Sequence, residues 1–205
     1  MSSTENKKPR VITVANQKGG VGKTTTAINL GTALAAIGER ILIVDMDPQG
    51  NASTGVGLDR SKRERSTYDV LVGNNSLSEV VVETDVPRLS VAPSTLDLLG
   101  VEMEIASADD RAFRIRKSIE SGVIDSEGVL FDYLLIDCPP SLNLLTINAL
   151  AASQSILVPL QCEFFALEGL SQLLKTVEQV KQTVNSDLTI PVSYTHLTLP
   201  TTPYV

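Results

Sequence analysis

The sequence predicts an α/β fold, a mostly parallel twisted sheet flanked by helices, and three observations carry that expectation. Apolar runs at 41–44, 133–136 and 156–160 are continuous rather than alternating, the pattern of strands buried on both faces. A β-branched apolar segment at 11–14 passes through Gly19, Gly20 and Gly22 into a stretch of helical composition, so strand, glycine loop and helix follow in order. Leu167, Leu170, Leu174, Val177, Val180 and Val184 recur every three to four residues, which predicts a long amphipathic helix packed on the sheet.

Taken in order, residues 1–10 are polar and unpatterned and read as a disordered leader. A strand over 11–14 and a helix over 24–37 follow, the helix ending at Gly38. The second strand, 41–44, runs into Asp45, and the strand over 133–136 runs into Asp137 before Pro139 and Pro140 stop it. Between them residues 51–128 are less regular, with a short strand expected at 89–92 and a helix at about 109–121. One domain is expected over 11–191. Residues 192–205, VSYTHLTLPTTPYV, carry neither helical nor sustained strand periodicity. The segment 192–197 equals the translation of the end of a transposon adapter used in library preparation. Residues 192–205 are therefore expected to be a non-native tail, a genuine unstructured tail being the alternative. On that expectation residues 189–192 only approach a further strand, and a sheet edge is left uncovered.

Composition excludes several classes. A net charge of −7 argues against a surface that coats nucleic acid. Two basic runs, one with Arg60, Lys62, Arg63 and Arg65 and one with Arg111, Arg114, Arg116 and Lys117, read first as solvated faces, with a local anion-binding patch as the alternative. The two cysteines, Cys138 and Cys162, are far apart and suggest neither a disulfide framework nor a zinc cluster. A single histidine, His196, gives little room for His-dependent catalysis. There is no run of about 20 apolar residues to span a membrane and no signal-peptide pattern in MSSTENKKPR, so a cytoplasmic protein without a stable membrane anchor is expected.

The segment QKGGVGKTT, residues 17–25, holds the chemistry. Where a buried strand meets a helix, glycines let several N–H groups converge on one anion, and the helix adds its positive end. Lys18, Gly19, Gly20, Val21, Gly22, Lys23, Thr24 and Thr25 are the candidate nucleotide-binding residues. Lys23 is placed to reach the β- and γ-phosphates of a nucleotide, Thr24 to offer a hydroxyl to Mg²⁺, and Thr25 to bond a further phosphate oxygen. The generic loop G-x-x-x-x-G-K-[ST] has its first glycine where this chain has Gln17, and it lacks the additional Lys18. One subunit binding one nucleotide needs only Lys23, so Lys18 points to a separate role. Asp45 and Asp47, in VDMDPQGN, and Asp137, in YLLIDCPPS, stand at strand ends. In a parallel sheet those ends collect the ligand, and carboxylates beside a triphosphate make sense in the Mg²⁺ shell or on the attacking water.

With these residues the chain, from about Arg10 to Ile190, resembles the deviant phosphate-loop ATPases of the ParA and Soj type, which partition chromosomes and plasmids. The resemblance implies an ATP-bound homodimer in which Lys18 crosses to the partner's nucleotide. It implies that Lys18, Lys23 and Asp47 are catalytic, with Asp47 orienting the water. It implies further that Thr24, Asp45 and Asp137 serve the magnesium, and that Pro48, Gln49, Gly50 and Asn51 complete a switch loop. QCEFFALEG, residues 161–169, would lie along the dimer interface. Hydrolysis would be slow until stimulated by a ParB-like centromere-binding protein. Non-specific DNA would be bound in the ATP state at the nucleoid, through residues lying mostly beyond position 192. Two readings compete: a MinD-type division-site ATPase acting at the membrane, and an enzyme of the same superfamily such as an amidotransferase-coupled synthetase or the nitrogenase iron protein. The wording of DPQGN and EFFALEG favours partitioning.

Overall fold

A computed structural model describes residues 8–161 and 166–196. Seven strands, β1 (Arg10–Val14), β2 (Ile41–Asp45), β3 (Val82–Glu83), β4 (Leu89–Ala92), β5 (Tyr133–Asp137), β6 (Ser155–Gln161) and β7 (Thr189–His196), form one sheet in the order β3-β4-β2-β5-β1-β6-β7. Every pairing is parallel except that of β3 with β4. The helices are α1 (Lys23–Ala36), α2 (Asn51–Gly55), α3 (Thr67–Val72), α4 (Val101–Glu104), α5 (Arg114–Glu120), α6 (Leu144–Ala152) and α7 (Ala166–Thr183). None of the described helices is long and apolar enough to cross a membrane.

The continuous apolar strands are buried on both faces, as their composition requires. On β2 and β5, Leu42, Val44, Leu134 and Ile136 pack into one core with side chains of α3, α5, α6 and α7, while Ile41, Ile43 and Leu135 pack into another with Ala35 of α1 and Ala52 of α2. Gly31 brings α1 down onto that second face: a methyl group there would lie 3.2 Å from Leu89 and 3.4 Å from both Ile43 and Leu135. The helix closes where Gly38, at φ +102°, turns the chain back, with its N–H on the carbonyl of Ala35 at 3.0 Å.

Several expectations need correction. The helix expected over 109–121 is confined to Arg114–Glu120, because Asp110 holds the preceding segment in a turn that accepts Phe113 N–H at 2.8 Å and pairs with Arg114 and Lys117. Among the described side chains of α7, Leu173, Val177 and Val180 are buried while Leu174 is exposed; one residue's rotation of 100° carries it off the packed stripe. The sheet also does not stop near Pro191. Backbone pairing with β6 continues through β7 to His196, so the edge of β6 is covered by a strand that includes residues 192–196. The Val, Tyr and Thr residues of that segment favour extended backbone even without alternation.

The chain order places the site. From β1 the connection through α1 leads to β2 on one side, whereas β5 passes through α6 to β6 on the other side of β1. The carboxyl end of β1 is thus a topological switch point, where a crevice opens outside the sheet.

Candidate functional site: a phosphate loop ringed by three carboxylates

The loop between β1 and α1 is built around Asn16. This buried side chain donates to the Pro159 carbonyl of β6 at 2.7 Å and accepts the Lys18 N–H at 3.0 Å. Gly20 and Gly22 take φ of +73° and +88°, a region glycine enters without strain. Gly22 opens α1, and no side chain caps the helix, so its first N–H groups are turned toward the loop as donors for an anion. Lys23 is buried and its ammonium donates to the Lys18 carbonyl at 3.0 Å. Lys18 is half-buried on the loop, Val21 is buried beneath it, and Gly19, Gly20 and Thr25 are exposed.

Register then brings the acids in. Val14 of β1 and Asp45 of β2 both pair with Asp137 of β5, so the two carboxylates end neighbouring strands beside the loop. Thr24 Oγ1 donates to Asp137 Oδ2 at 2.7 Å. The other oxygen of Asp137, Oδ1, is buried with no hydrogen-bond partner. Asp137 has no exposed surface; burial, with the charges of Asp45 and Asp47 adding to it, pushes its carboxyl up to about 7 against the opposing effects of Thr24 and Lys23. Burial lowers the Lys23 ammonium from its usual value, opposed by the charges of Asp137 and Asp47 among others. Lys23, Thr24, Asp45, Asp47 and Asp137 therefore form one electrostatic cluster.

Asp45 is spoken for within the protein. Its Oδ2 accepts the Ser53 N–H at 2.8 Å and hydroxyl at 2.6 Å, and its Oδ1 accepts the Asp47 N–H at 3.2 Å. Burial nonetheless raises its carboxyl above the usual range. Asp47 is nearly buried at 8% exposure, and its Oδ1 accepts the Gln49 N–H at 2.9 Å. The loop from Pro48 to Asn51 folds into α2 through Gly50, at φ +64°, whose N–H returns to the Asp47 carbonyl at 2.8 Å.

Sequence reasoning missed the framework behind these acids. Asn16, Ser53, Thr67 and Ser94 are all buried polar residues tied to the site. Thr67 Oγ1 donates to the Asp45 carbonyl at 2.8 Å, and Ser94 Oγ donates to the Asp47 carbonyl. In the first basic run Arg60, Lys62 and Arg65 are exposed, but Arg63 is buried, so that run is not one solvated face. In the second, Arg114 and Lys117 pair with Asp110 and Arg116 pairs with Glu120. Cys138 is a buried thiol that burial pushes up and out of the reactive range. Cys162, Phe164 and Phe165 lie outside the described residues.

Such a site can bind a phosphate chain through amides and one ammonium and offer carboxylate oxygens on its far side. The AAA domain family profile matches residues 9–190. Over 181 residues the sequence is 55% identical to the chromosome partitioning protein ParA of Caulobacter vibrioides, covering 88% of this chain and 67% of that one. The chain belongs to the ParA and Soj family. It is 49% identical to the sporulation initiation inhibitor protein Soj of Bacillus subtilis over 88% of this chain and 70% of that protein. Among solved structures, the cobyrinic acid a,c-diamide synthase of Mycobacterium smegmatis, with bound ATP analogue and magnesium, superposes with a TM-score of 0.84 at 40% identity, over 91% of this chain and 74% of that one. This ParA-family chain spans about two thirds of the length of the ParA protein it matches.

Proposed function

We propose that this protein is an ATP-dependent dimerising switch ATPase of chromosome or plasmid partitioning. In this reading it binds DNA non-specifically in the ATP state and is released when a ParB-like protein stimulates hydrolysis. The observation that carries the ATPase chemistry is the Thr24 to Asp137 bond of 2.7 Å under the glycine loop, with Asp137 Oδ1 buried and unpartnered beside it. A buried acceptor without a donor is what a hydrated Mg²⁺ would satisfy, and Mg²⁺ is usually held by one or two protein oxygens together with substrate phosphates. Among the described residues no group of three or more His, Cys, Asp or Glu is arranged as a metal cage, which fits that shared mode of binding. The residues present thus fit Mg²⁺ with ATP. When bound, the ion would offset charge on the phosphates of ATP as the β–γ bond is hydrolysed to ADP and phosphate.

The protein's own groups divide the remaining work. The loop N–H groups and the Lys23 ammonium hold the phosphates and offset their charge. Thr24 and Asp137 hold the metal side. Asp45, fully engaged by Ser53 and Asp47, shapes the switch loop and acts on the magnesium by charge. Asp47, fixed by Gln49 on one oxygen, accepts a hydrogen bond from the attacking water and orients it. Lys18 acts on the nucleotide of a partner subunit, in the manner of an arginine finger. Partitioning is favoured over the synthetase reading by 55% and 49% identity to proteins named for partitioning and sporulation control, against 40% to the protein named as a synthase.

The test is single-turnover hydrolysis of Mg-ATP by wild type and Asp47→Ala, with and without DNA and a ParB-like protein. Wild type is expected to hydrolyse slowly alone and faster with both additions, and Asp47→Ala to retain ATP. Hydrolysis at the wild-type rate by Asp47→Ala would remove Asp47 from the mechanism. Rates indifferent to DNA and partner would remove the partitioning role.

A further inference from the structure

Arg63 lies outside every motif of the nucleotide site, yet it is only 9% exposed and grips the loop that carries Asp47 from behind. Its Nη1 donates to the Ser94 carbonyl at 3.1 Å, and its Nη2 donates to Thr54 Oγ1 at 2.7 Å and to the Leu58 carbonyl at 2.9 Å. Both branches lead back to Asp47. On one, the Ser94 hydroxyl donates to the Asp47 carbonyl and the Ser94 N–H donates to Ser53 Oγ at 3.2 Å, which in turn bonds Asp45. On the other, the Thr54 hydroxyl donates to the Gly50 carbonyl at 3.0 Å, and the Gly50 N–H bonds the Asp47 carbonyl at 2.8 Å. The Nη1 end of the guanidinium also abuts Gly50, where any side chain would collide with it.

One planar fork thus closes a loop of hydrogen bonds whose two arms meet on the backbone oxygen of Asp47. We propose that Arg63 is a positioning residue for ATP hydrolysis, holding the switch loop so that the Asp47 carboxylate keeps its aim. This rests on the assignment of Asp47 as the water-orienting group. Among the described residues the hydrogen bonds of Arg63 run to Ser94, Thr54 and Leu58, behind the switch loop, so the effect falls on hydrolysis and spares nucleotide binding. A point charge cannot replace the fork, because three acceptors in different directions need a rigid planar donor set.

The experiment compares Arg63→Met, Arg63→Lys and Gly50→Ala in the full chain, with ATP affinity measured by equilibrium binding and the rate by single-turnover hydrolysis per bound nucleotide. Misplacing a catalytic group by about 1 Å costs up to roughly a hundredfold in rate. All three variants are expected to lose about ten- to a hundredfold in rate with ATP affinity within about twofold of wild type. Combining Arg63→Met with Asp47→Ala should cost nothing beyond Asp47→Ala alone. If Arg63→Met fails to fold, Arg63→Lys, which keeps the charge and loses the fork, carries the test, because Gly50→Ala also strains the loop itself at φ +64°. Wild-type rates in the Arg63 variants while Asp47→Ala is inactive would overturn the positioning role alone, as would equal losses in affinity and rate, or full rescue by lysine. An active Asp47→Ala would instead overturn the assignment on which it rests.

Discussion

Replacing Asp137 with Asn should stabilise the nucleotide-free protein and do so in a pH-dependent way. The Asp137 carboxyl has no exposed surface and titrates at about 7 in the folded chain, against 3.8 for the free side chain. Between about pH 4 and pH 7 the folded state holds a proton that the unfolded state has released, so stability falls as pH rises through that window and is level above it. At about 1.4 kcal/mol per tenfold change, the displacement amounts to roughly 4 kcal/mol lost by pH 8. Asn has no proton to lose and keeps an oxygen for the Thr24 hydroxyl, and the added strength of that bond to the ionised carboxylate is already contained in the value of about 7. The net gain for Asp137→Asn is therefore roughly 4 kcal/mol at pH 8, or about 8–16 °C in Tm for a chain of this size, shrinking to nothing near pH 4. Melting curves by circular dichroism in EDTA, taken from pH 4 to pH 8, measure the difference directly. A gain that is absent at pH 8, or constant across the series, refutes the reasoning. With Mg-ATP added, the ordering should reverse, because wild type gains binding energy that the variant has lost.

Ser53→Ala removes the 2.6 Å bond to buried Asp45 and the acceptor of Ser94 N–H, and a loss of about 2 kcal/mol in urea unfolding is expected; a change below about 0.5 kcal/mol would mean that Asp45 does not depend on it. Lys18→Ala is expected to bind ATP as a monomer with little change and to lose ATP-dependent dimerisation. Light scattering that shows dimers in this variant would end the cross-subunit assignment. Reading the source locus across codon 191 should replace VSYTHL with a different continuation, and finding those codons in the locus would make residues 192–205 native.

The strands of the centre were readable because burial on both faces leaves a distinctive mark: 89–92 matches β4, and the runs ending in Asp45 and Asp137 match β2 and β5 within a residue. The glycine loop was readable because its function constrains backbone and side chains in one short segment. Helix α6 was not read at all, since LLTINALAA is apolar on nearly every side and shows no stripe. Its signal was Asn143, which accepts the N–H groups of Leu145 and Thr146 as a cap at the head of an apolar run. The support of Asp47 left no local trace, because Ser94 reaches it across 47 positions of sequence. Arg63 was misread for a related reason: it sits among exposed Arg60, Lys62 and Arg65, and only tertiary contacts separate a buried cation from its solvated neighbours.

The seat of α1 on Gly31 works as a gauge for the contact between Thr24 and Asp137, the proposed metal side of the site. Gly31 lies eight residues beyond Lys23, about 12 Å along the helix, and its bare backbone sets how closely the helix approaches Leu89, Ile43 and Leu135. The 2.7 Å separation of Thr24 from Asp137 spans the same gap, since one group rides on the helix and the other on the sheet beneath it. A side chain at Gly31 would press on the terminal methyls of Leu89, Ile43 and Leu135; where those methyls hold, it acts as a shim that lifts the helix and widens the Thr24 to Asp137 gap with no atom of the site replaced. Selection for magnesium affinity would then reach into the hydrophobic core two helical turns away, at a position whose own chemistry is only that it has no side chain.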